Sequence, residues 1–114
     1  MAEIFLDRDE ARIAFSALER VGALRGDYVF PITRISSAWV SEDPFAAVRG
    51  IRAPGTGLPR VIALGTWRSG TYGRTLAAAY RGQPALVLEL EGDYFQRIVI
   101  SDEHAIRLAS VLAT

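Results

Sequence analysis

Short apolar segments separated by polar turns recur along most of this chain. Most are of strand length and rich in branched or aromatic side chains, a pattern typical of β-strands. The candidate strands are residues 3–7, 11–15, 28–30, 35–42, 61–67, 71–80, 85–90 and 95–100. In the second half they recur about every 10–12 residues with a turn signal between each pair, which is typical of an antiparallel barrel or sandwich. We expect about seven or eight antiparallel strands.

Three local features refine the strand pattern. Residues 7–10, Asp-Arg-Asp-Glu, form a polar turn of hairpin length between the first two strands. Pro31 has no N–H to donate to a sheet, so the strand at 28–30 must end there or lie at a sheet edge. Because strand side chains alternate between two faces, Trp39 is expected on the same face as Ile35.

A capping box marks the start of a short helix. Ser16 and Glu19 have the spacing at which the Ser hydroxyl accepts a backbone N–H and the Glu carboxylate reaches back to the helix start. Apolar residues then recur at every third position, and Gly26 suits the left-handed conformation that ends many helices. The pattern predicts a helix over residues 17–24.

Two more helical segments are predicted, and one further segment is ambiguous. Asp43 and Pro44 favour a helical turn that runs to residue 48. Ser101 is the predicted cap of a C-terminal amphipathic helix. The buried stripe of that helix would consist of Ala105, Leu108, Ala109 and Leu112. Residues 75–80, with three consecutive alanines, suit a helix as well as a strand.

Composition is that of an ordinary globular domain. The 114 residues, 50% of them hydrophobic and 23% charged, amount to a single domain spanning residues 1–114. There is no cysteine and no lysine, which excludes disulfides, thiol chemistry, a P-loop lysine and a Schiff base. His104 is the one histidine, so a two-histidine metal site is excluded and we expect no metal and no cofactor. A charged N-terminus and the lack of an apolar run of about 18 residues favour a cytoplasmic protein without a transmembrane segment.

Positive charge is concentrated in the middle of a chain whose net charge is zero. Between Pro44 and Leu88 there are six arginines and no acidic residue, so this stretch carries +6. Residues 1–43 have five arginines against eight carboxylates, and residues 89–114 have two against five, so each flank carries −3. Guanidinium groups suit bidentate recognition of phosphate or carboxylate. The candidate ligand-binding residues are Arg49, Arg52, Arg60, Arg68 and Arg74.

Residues 49–60 contain three glycines and two prolines and are predicted to be the one long irregular loop. Backbone N–H groups in such a loop can also face an anion. In an alternative arrangement the acidic flanks fold back and neutralise the middle arginines, as surface ion pairs worth about 0–1 kcal/mol each. Aromatic side chains offer a base-stacking alternative, but neutral net charge argues against nucleic acid as a partner. These aromatic residues are Trp39, Trp67, Tyr72 and Tyr80.

Three stretches of the sequence resemble a known family. They are Arg49–Pro59, Ala63–Thr66 and the pattern Phe95-x-Arg97-x-Val99-x-Ser101. These stretches are similar to small bacterial proteins with a pleckstrin-homology-like (PH-like) domain. The resemblance implies a mainly β fold with some α, in which two nearly orthogonal antiparallel sheets form a barrel. It also implies a short helix after strand 2, a C-terminal helix that caps one open end, a binding role and no catalytic residue.

The first hairpin departs from the lipid-binding eukaryotic members of that family. Those proteins place a cluster of Lys and Arg there, whereas residues 7–10 have three carboxylates and one arginine. This excess of negative charge would repel a phosphoinositide headgroup.

Together these features predict a non-catalytic binding or interaction module. Its contact surface is expected to be residues 49–60 with nearby Arg68 and Arg74, and its partner an acidic protein, a peptide or another anionic ligand. A first alternative is a structural domain that forms homo-oligomers through a free sheet edge. A second alternative is a small enzyme, which would need a pocket holding a carboxylate or arginine cluster with perturbed pKa values.

Overall fold

The described part of the protein consists mainly of β-strands. The computed structural model describes residues 2–17, 19–20, 26–48, 51–58 and 62–112, and of residues 51–58 it describes the backbone alone. The strands are β1 (Glu3–Leu6), β2 (Glu10–Ala14), β3 (Tyr28–Pro31), β4 (Ile35–Ser41), β5 (Ile51–Leu58), β6 (Ile62–Ser69), β7 (Gly73–Tyr80), β8 (Ala85–Leu90) and β9 (Arg97–Ser101). The helices are α1 (Pro44–Ala47) and α2 (Ala105–Leu112), and Ile32–Arg34 form a 3₁₀ turn. The mainly β fold with a C-terminal helix is therefore confirmed.

The strands form two separate sheets. The small sheet consists of β1, β2 and β3, all antiparallel. The large sheet has the order β4-β8-β9-β7-β6-β5, in which only the neighbours β7 and β9 run parallel. The parallel pair arises because β9 forms a hairpin with β8 and then lies beside β7. The predicted division into two sheets is therefore confirmed. Within the described residues neither sheet closes on itself and one strand pair is parallel, so the predicted antiparallel barrel is wrong.

The small sheet follows the sequence prediction closely. Residues 7–9 connect β1 to β2, and the backbone N–H of Asp7 donates to the carbonyl of Glu10 at 2.9 Å across this turn. The strand β3 lies at an edge of the small sheet, and Pro31 is its last residue. A residue without an N–H is tolerated at that position because no further strand pairs with it.

The segment predicted as an irregular loop contains an edge strand. Within it, β5 pairs with β6 over two stretches, with a register shift between Arg52 and Gly55. Pro54 lies inside that shift, at the edge of the large sheet, where a residue without an N–H costs least. The loop prediction is therefore wrong for residues 51–58, because glycine and proline are tolerated in an irregular edge strand.

The ambiguous alanine-rich segment is part of a central strand. The strand β7 lies between β6 and β9, and Ala77, Ala78 and Ala79 are fully buried. Strands covered on both faces have apolar side chains at successive positions rather than alternating ones. The alanines therefore reflect burial on two sides and not a helix.

Trp39 and Ile35 lie on opposite faces of β4, so the prediction of a shared face is wrong. The pairing of β4 with β8 shifts register between Ile35 and Ser37, which makes Ser36 an extra residue, a β-bulge. One inserted residue reverses the face of every later side chain in the strand. Ile35 consequently packs against the main core, whereas Trp39 lies beneath the guanidinium of Arg97 on the other face.

Apolar side chains form two clusters, one on each face of the large sheet. The main core joins side chains from the small sheet, the large sheet and α2. Its largest fully buried members are Phe30, Phe95, Ile13, Leu76, Leu86, Leu88, Ile98 and Ile100. The second cluster packs under α1 and consists of Ala47, Ala63, Ala79, Ala85, Val87 and Val99. These two layers fix the positions of the loops at the ends of the large sheet.

The capping box after β2 is confirmed. The Oγ atom of Ser16 accepts the backbone N–H of Glu19 at 3.2 Å, and Oε1 of Glu19 accepts the backbone N–H of Ser16 at 2.8 Å. Residues 17, 19 and 20 are helical. The remainder of the helix predicted over 17–24 lies outside the described residues.

The C-terminal helix begins later than predicted. Ser101 is the last residue of β9, where its Oγ accepts the backbone N–H of Tyr80 at 2.9 Å, so it is not the helix cap. Asp102 accepts the backbone N–H of His104 at 2.7 Å instead. The predicted stripe is confirmed, with the two alanines buried and the two leucines packed against the main core. Among the described residues, no helix combines the length and apolar character needed to cross a membrane.

Candidate functional site

The hairpin of β6 and β7 brings two of the predicted arginines together. Arg68 and Arg74 are directly opposite each other in the register of these strands. The turn between them is held by Ser69, whose Oγ accepts the N–H groups of Thr71 at 3.2 Å and Tyr72 at 3.1 Å. Like charges directly opposite each other on antiparallel strands are destabilising. The arginine pair therefore costs stability unless another group engages the guanidiniums.

Tyr94 engages both guanidiniums. The Cζ atom of Arg74 lies 4.2 Å from the centroid of the Tyr94 ring, and Nη2 of Arg68 is 3.4 Å from the hydroxyl oxygen. A cation over an exposed aromatic ring gains about 0.5–1 kcal/mol. The same ring packs edge-on against the buried ring of Phe95, with 4.9 Å between centroids. We call Arg68, Arg74 and Tyr94 the arginine–tyrosine site.

A buried carboxylate fixes the loop between β8 and β9, which carries Tyr94. The side chain of Asp93 is 2% exposed, and its Oδ1 accepts a hydrogen bond from Nη1 of Arg34 at 2.8 Å. Its Oδ2 accepts hydrogen bonds from the hydroxyl of Tyr28 and, at 3.2 Å, from the backbone N–H of Phe95. Three donors on one carboxylate restrict the loop, so Tyr94 is presented in a defined position.

Gln96 ties the same loop to β7. The side-chain Oε1 of Gln96 accepts the backbone N–H of Arg74 at 2.7 Å, and the backbone N–H of Gln96 donates to the carbonyl of Arg74 at 2.9 Å. Its Nε2 donates to the carbonyl of Asp93 at 2.9 Å. This side chain fits because residue 73 is Gly73, where φ is +83° and a Cβ atom would lie 2.1 Å from Oε1 of Gln96. The backbone of Arg74 is thereby fixed relative to the loop that bears Tyr94.

Three of the described ion pairs each neutralise an arginine of the acidic flanks. These pairs are Arg20–Asp27, Arg34–Asp93 and Arg97–Glu89. Arg74 forms no ion pair with any described residue, and its Nε atom is buried without a hydrogen-bond partner. For Arg74, the alternative in which flanking carboxylates fold back onto the middle arginines is therefore wrong.

The other predicted binding residues are not gathered at this site. Arg52 belongs to β5, whose backbone pairs with β6, and its side chain lies outside the described part of the chain. Arg49 and Arg60 lie outside the described residues altogether. Arg74 lies near the start of β7, whereas Arg81 directly follows the last residue of that strand. The structure thus brings together Arg68 and Arg74, and the positive stretch does not converge as a whole.

Sequence reasoning missed Tyr94, Asp93 and Gln96. All three lie in the loop before β9, and no spacing rule connects that loop to the arginines. The parallel pairing of β7 with β9, which starts at Thr75 and Arg97, brings them together. The one local signal was an acidic residue beside two successive aromatic residues after a turn glycine.

The aromatic residues considered as a stacking platform are divided between two faces. Trp67 packs with the second cluster, whereas Tyr80 packs against the main core on the opposite face. The hydroxyl of Tyr80 donates to the buried carboxylate of Glu19. Burial raises the pKa of Tyr80 above its usual value, and the hydrogen bond to Glu19 raises it in the same direction. Tyr80 therefore acts as a structural donor and not as part of an exposed stacking surface.

The two described cavities lie away from the arginine–tyrosine site. One, of about 500 Å³, is lined by residues 42–46 with Arg81 and Gly82. The other, of about 410 Å³, is lined by residues 2–4 and 102–104 with Arg107 and Leu108. In the part of the chain that the structure describes, no group of three or more His, Asp or Glu side chains is placed to hold a metal ion.

Comparisons with known proteins assign no family to this chain. No protein-family model, no curated protein and no solved structure matches it. The PH-like resemblance therefore stays a prediction, and the function must be argued from the chemistry of the site.

Proposed function

We propose that this protein is a non-catalytic binding module whose arginine–tyrosine site recognises an acidic segment of a protein partner. The observation that carries the proposal is the pair of directly opposed arginines, Arg68 and Arg74, around one tyrosine ring. Tyr94 contacts both guanidiniums but carries no negative charge. An anionic segment could contact both guanidiniums at once, and this favours a role for the site in binding.

The composition of the site supports a protein partner. Arginine and tyrosine are enriched among the residues that dominate the binding energy of protein interfaces. A guanidinium can donate two parallel N–H bonds to one carboxylate, and such charge-assisted bonds are stronger than neutral ones. Tyr94 is 48% exposed, and its ring adds apolar contact area.

The PH-like grouping and a cytoplasmic location are part of this proposal. The two-sheet β fold and the C-terminal helix support the grouping, whereas the parallel pair of β7 and β9 departs from the antiparallel pattern it implies. The acidic turn between β1 and β2 argues against a lipid headgroup at the first hairpin. The proposal therefore places the binding surface at the β6–β7 hairpin instead.

Fluorescence anisotropy with a labelled glutamate-rich peptide tests the proposal. The double variant Arg68→Gln/Arg74→Gln removes two charge-assisted contacts, each worth about 1.5–3 kcal/mol. We expect its Kd to be at least about tenfold higher than that of the wild type. The control Arg81→Gln/Arg107→Gln removes the same net charge at two exposed positions outside the site. It should change the Kd by less than about twofold.

Two results would contradict the proposal. One is the absence of peptide binding to the wild type at low ionic strength, where screening is weakest. The other is an equal loss of affinity in the two double variants, because that would show a response to net charge and not to a defined site.

A further inference from the structure

The turn between β1 and β2 is an exposed acidic projection. Asp7, Asp9 and Glu10 are exposed, and none of them forms an ion pair within the described part of the chain. With Arg8 included, the turn has three carboxylates and one guanidinium, a net charge of −2. Oδ1 of Asp7 accepts the backbone N–H of Arg8 at 2.8 Å, which helps to hold the turn in one shape. Its charge is equal and opposite to that of the two site arginines.

Exposed apolar side chains lie beside the acidic turn. Leu6, which directly precedes it, is 38% exposed, and Phe5 is 46% exposed. Phe5, Arg12 and Val29 form one cross-strand row on the small sheet, with the guanidinium of Arg12 5.3 Å from the ring centroid of Phe5. An acidic turn flanked by apolar side chains complements a surface that combines guanidiniums with a tyrosine ring.

A run of contacts connects the acidic turn to the loop that carries Tyr94. The carbonyl of Asp9 accepts the backbone N–H of Ile32 at 2.8 Å, which joins the turn to the 3₁₀ segment. Arg34, at the end of that segment, forms the ion pair with Asp93, and the next residue is Tyr94. The two patches of opposite charge are therefore linked by a short run of contacts, and the described residues form no ion pair between them.

We infer that the acidic segment bound by the arginine–tyrosine site is the β1–β2 turn of a second copy of this chain. Two patches of opposite charge on one molecule can be paired twice by one two-fold axis, since each copy then offers its turn to the other's site. The contact would thus compensate a charge of +2 with one of −2 at two equivalent places. This inference rests on the proposed function, because it names the partner of the same site.

Charge reversal in two complementary variants tests the pairing. One variant is Arg68→Glu/Arg74→Glu, and the other is Asp7→Arg/Asp9→Arg. Each variant alone opposes like charges at both contacts, so its dimer dissociation constant should be at least about tenfold higher than that of the wild type. An equal mixture again opposes unlike charges at both contacts and should form a heterodimer. Sedimentation velocity measures the fraction of dimer in each of the two variants, in their mixture and in the wild type.

Salt provides a test that needs no substitution. Screening shortens the reach of charge from about 30 Å at 0.01 M to about 3 Å at 1 M ionic strength. The wild-type dimer should therefore weaken at least about tenfold over this range. Circular dichroism and thermal unfolding check that the reversed variants fold. The milder variants Arg68→Gln and Asp9→Asn, at exposed positions, should each weaken the dimer about threefold.

Three results would overturn the inference. They are a wild type that stays monomeric at low salt and high protein concentration, a mixture of reversed variants that fails to associate, and dimers that persist in both reversed variants. The last result is the one expected for association through a sheet edge, since backbone pairing does not depend on these charges.

The peptide assay separates this inference from the proposed function. The variant Asp7→Arg/Asp9→Arg keeps the arginine–tyrosine site intact and should still bind the glutamate-rich peptide. If that peptide binds while the wild type does not self-associate, this inference fails and the proposed function stands. If the peptide binds to neither protein and the wild type stays monomeric, both fail.

Discussion

Removing the carboxylate of Asp93 should loosen the loop that presents Tyr94. Asp93→Ala deletes the acceptor of three donors, from Arg34, Tyr28 and Phe95. Hydrogen bonds to a charged group contribute about 1.5–3 kcal/mol each. The Arg34 pair counts for only about 0–1 kcal/mol, because that side chain is 44% exposed and its charge is screened by solvent. Since the three bonds share one acceptor and are not additive, we expect the free energy of unfolding to fall by about 3 kcal/mol.

Urea denaturation followed by circular dichroism measures this loss. Thermal unfolding gives a second measure of the same loss. In a domain of this size 1 kcal/mol corresponds to about 4 °C in Tm, so the Tm of Asp93→Ala should lie about 12 °C below that of the wild type. Asp93→Asn keeps an acceptor of nearly the same shape and should lose about half as much. Glu91→Ala removes an exposed carboxylate from the same loop and should stay within about 0.5 kcal/mol of the wild type.

Two outcomes would refute this reasoning. If Asp93→Ala and Glu91→Ala unfold at the same urea concentration, the buried carboxylate does not hold the loop. If Asp93→Ala is destabilised but binds the glutamate-rich peptide as tightly as the wild type under folding conditions, the loop does not position Tyr94 for binding.

Two further substitutions test contacts around β7, each by urea denaturation. Gly73→Ala should cost more than about 2 kcal/mol, because the new Cβ would displace Gln96 from its hydrogen bonds with Arg74 and Asp93, and alanine would have to adopt a positive φ. Gly82→Ala, at φ +77° with open space around it, should cost only about 1 kcal/mol, and equal losses at the two glycines would contradict the close contact. Tyr80→Phe should cost about 1–3 kcal/mol, because the buried carboxylate of Glu19 loses its donor. Since the pKa of Tyr80 is raised in the folded state, only the unfolded chain ionises there as pH passes about 10, so the stability of the wild type should fall with rising pH. Tyr80→Phe should remove that part of the decline, and identical pH profiles for the two proteins would contradict the raised pKa.

Local signals in the sequence were sufficient for much of the secondary structure. The strand predicted over residues 85–90 has those bounds in the structure, because a mostly apolar run between two turns has few alternatives. The capping box of Ser16 and Glu19 forms as expected, since both hydrogen bonds depend only on residues three positions apart. Signals of this kind do not depend on the rest of the fold.

Features that depend on contacts between distant segments could not be predicted in the same way. Strand pairing decides the bulge at Ser36 and the placement of β9 between β8 and β7. The spacing of residue types along the chain does not indicate which strands pair. Pairing at a sheet edge likewise outweighs the glycines and prolines of β5. Strand number and spacing indicated an antiparallel barrel or sandwich, but they do not specify the order of strands in a sheet.

The candidate site was only partly predictable for the same reason. Counting charge along the chain identified a positive stretch, and Arg68 and Arg74 belong to it. Which arginines gather depends on the β6–β7 register, which places these two opposite each other and Arg81 at the far end of β7. The contribution of Tyr94 depends on a loop distant in sequence. The flanking carboxylates at Asp27, Asp93 and Glu89 pair with arginines of the flanks, which sequence charge alone could not assign.

An NMR titration of the wild type with the glutamate-rich peptide tests most directly whether Arg68, Arg74 and Tyr94 act as one surface. We expect the backbone amides of residues 68–74 and 93–96 to shift together with a single dissociation constant, while those of residues 81–83 stay unchanged. Shifts spread evenly over every exposed arginine, or confined to residues outside these two segments, would contradict this expectation.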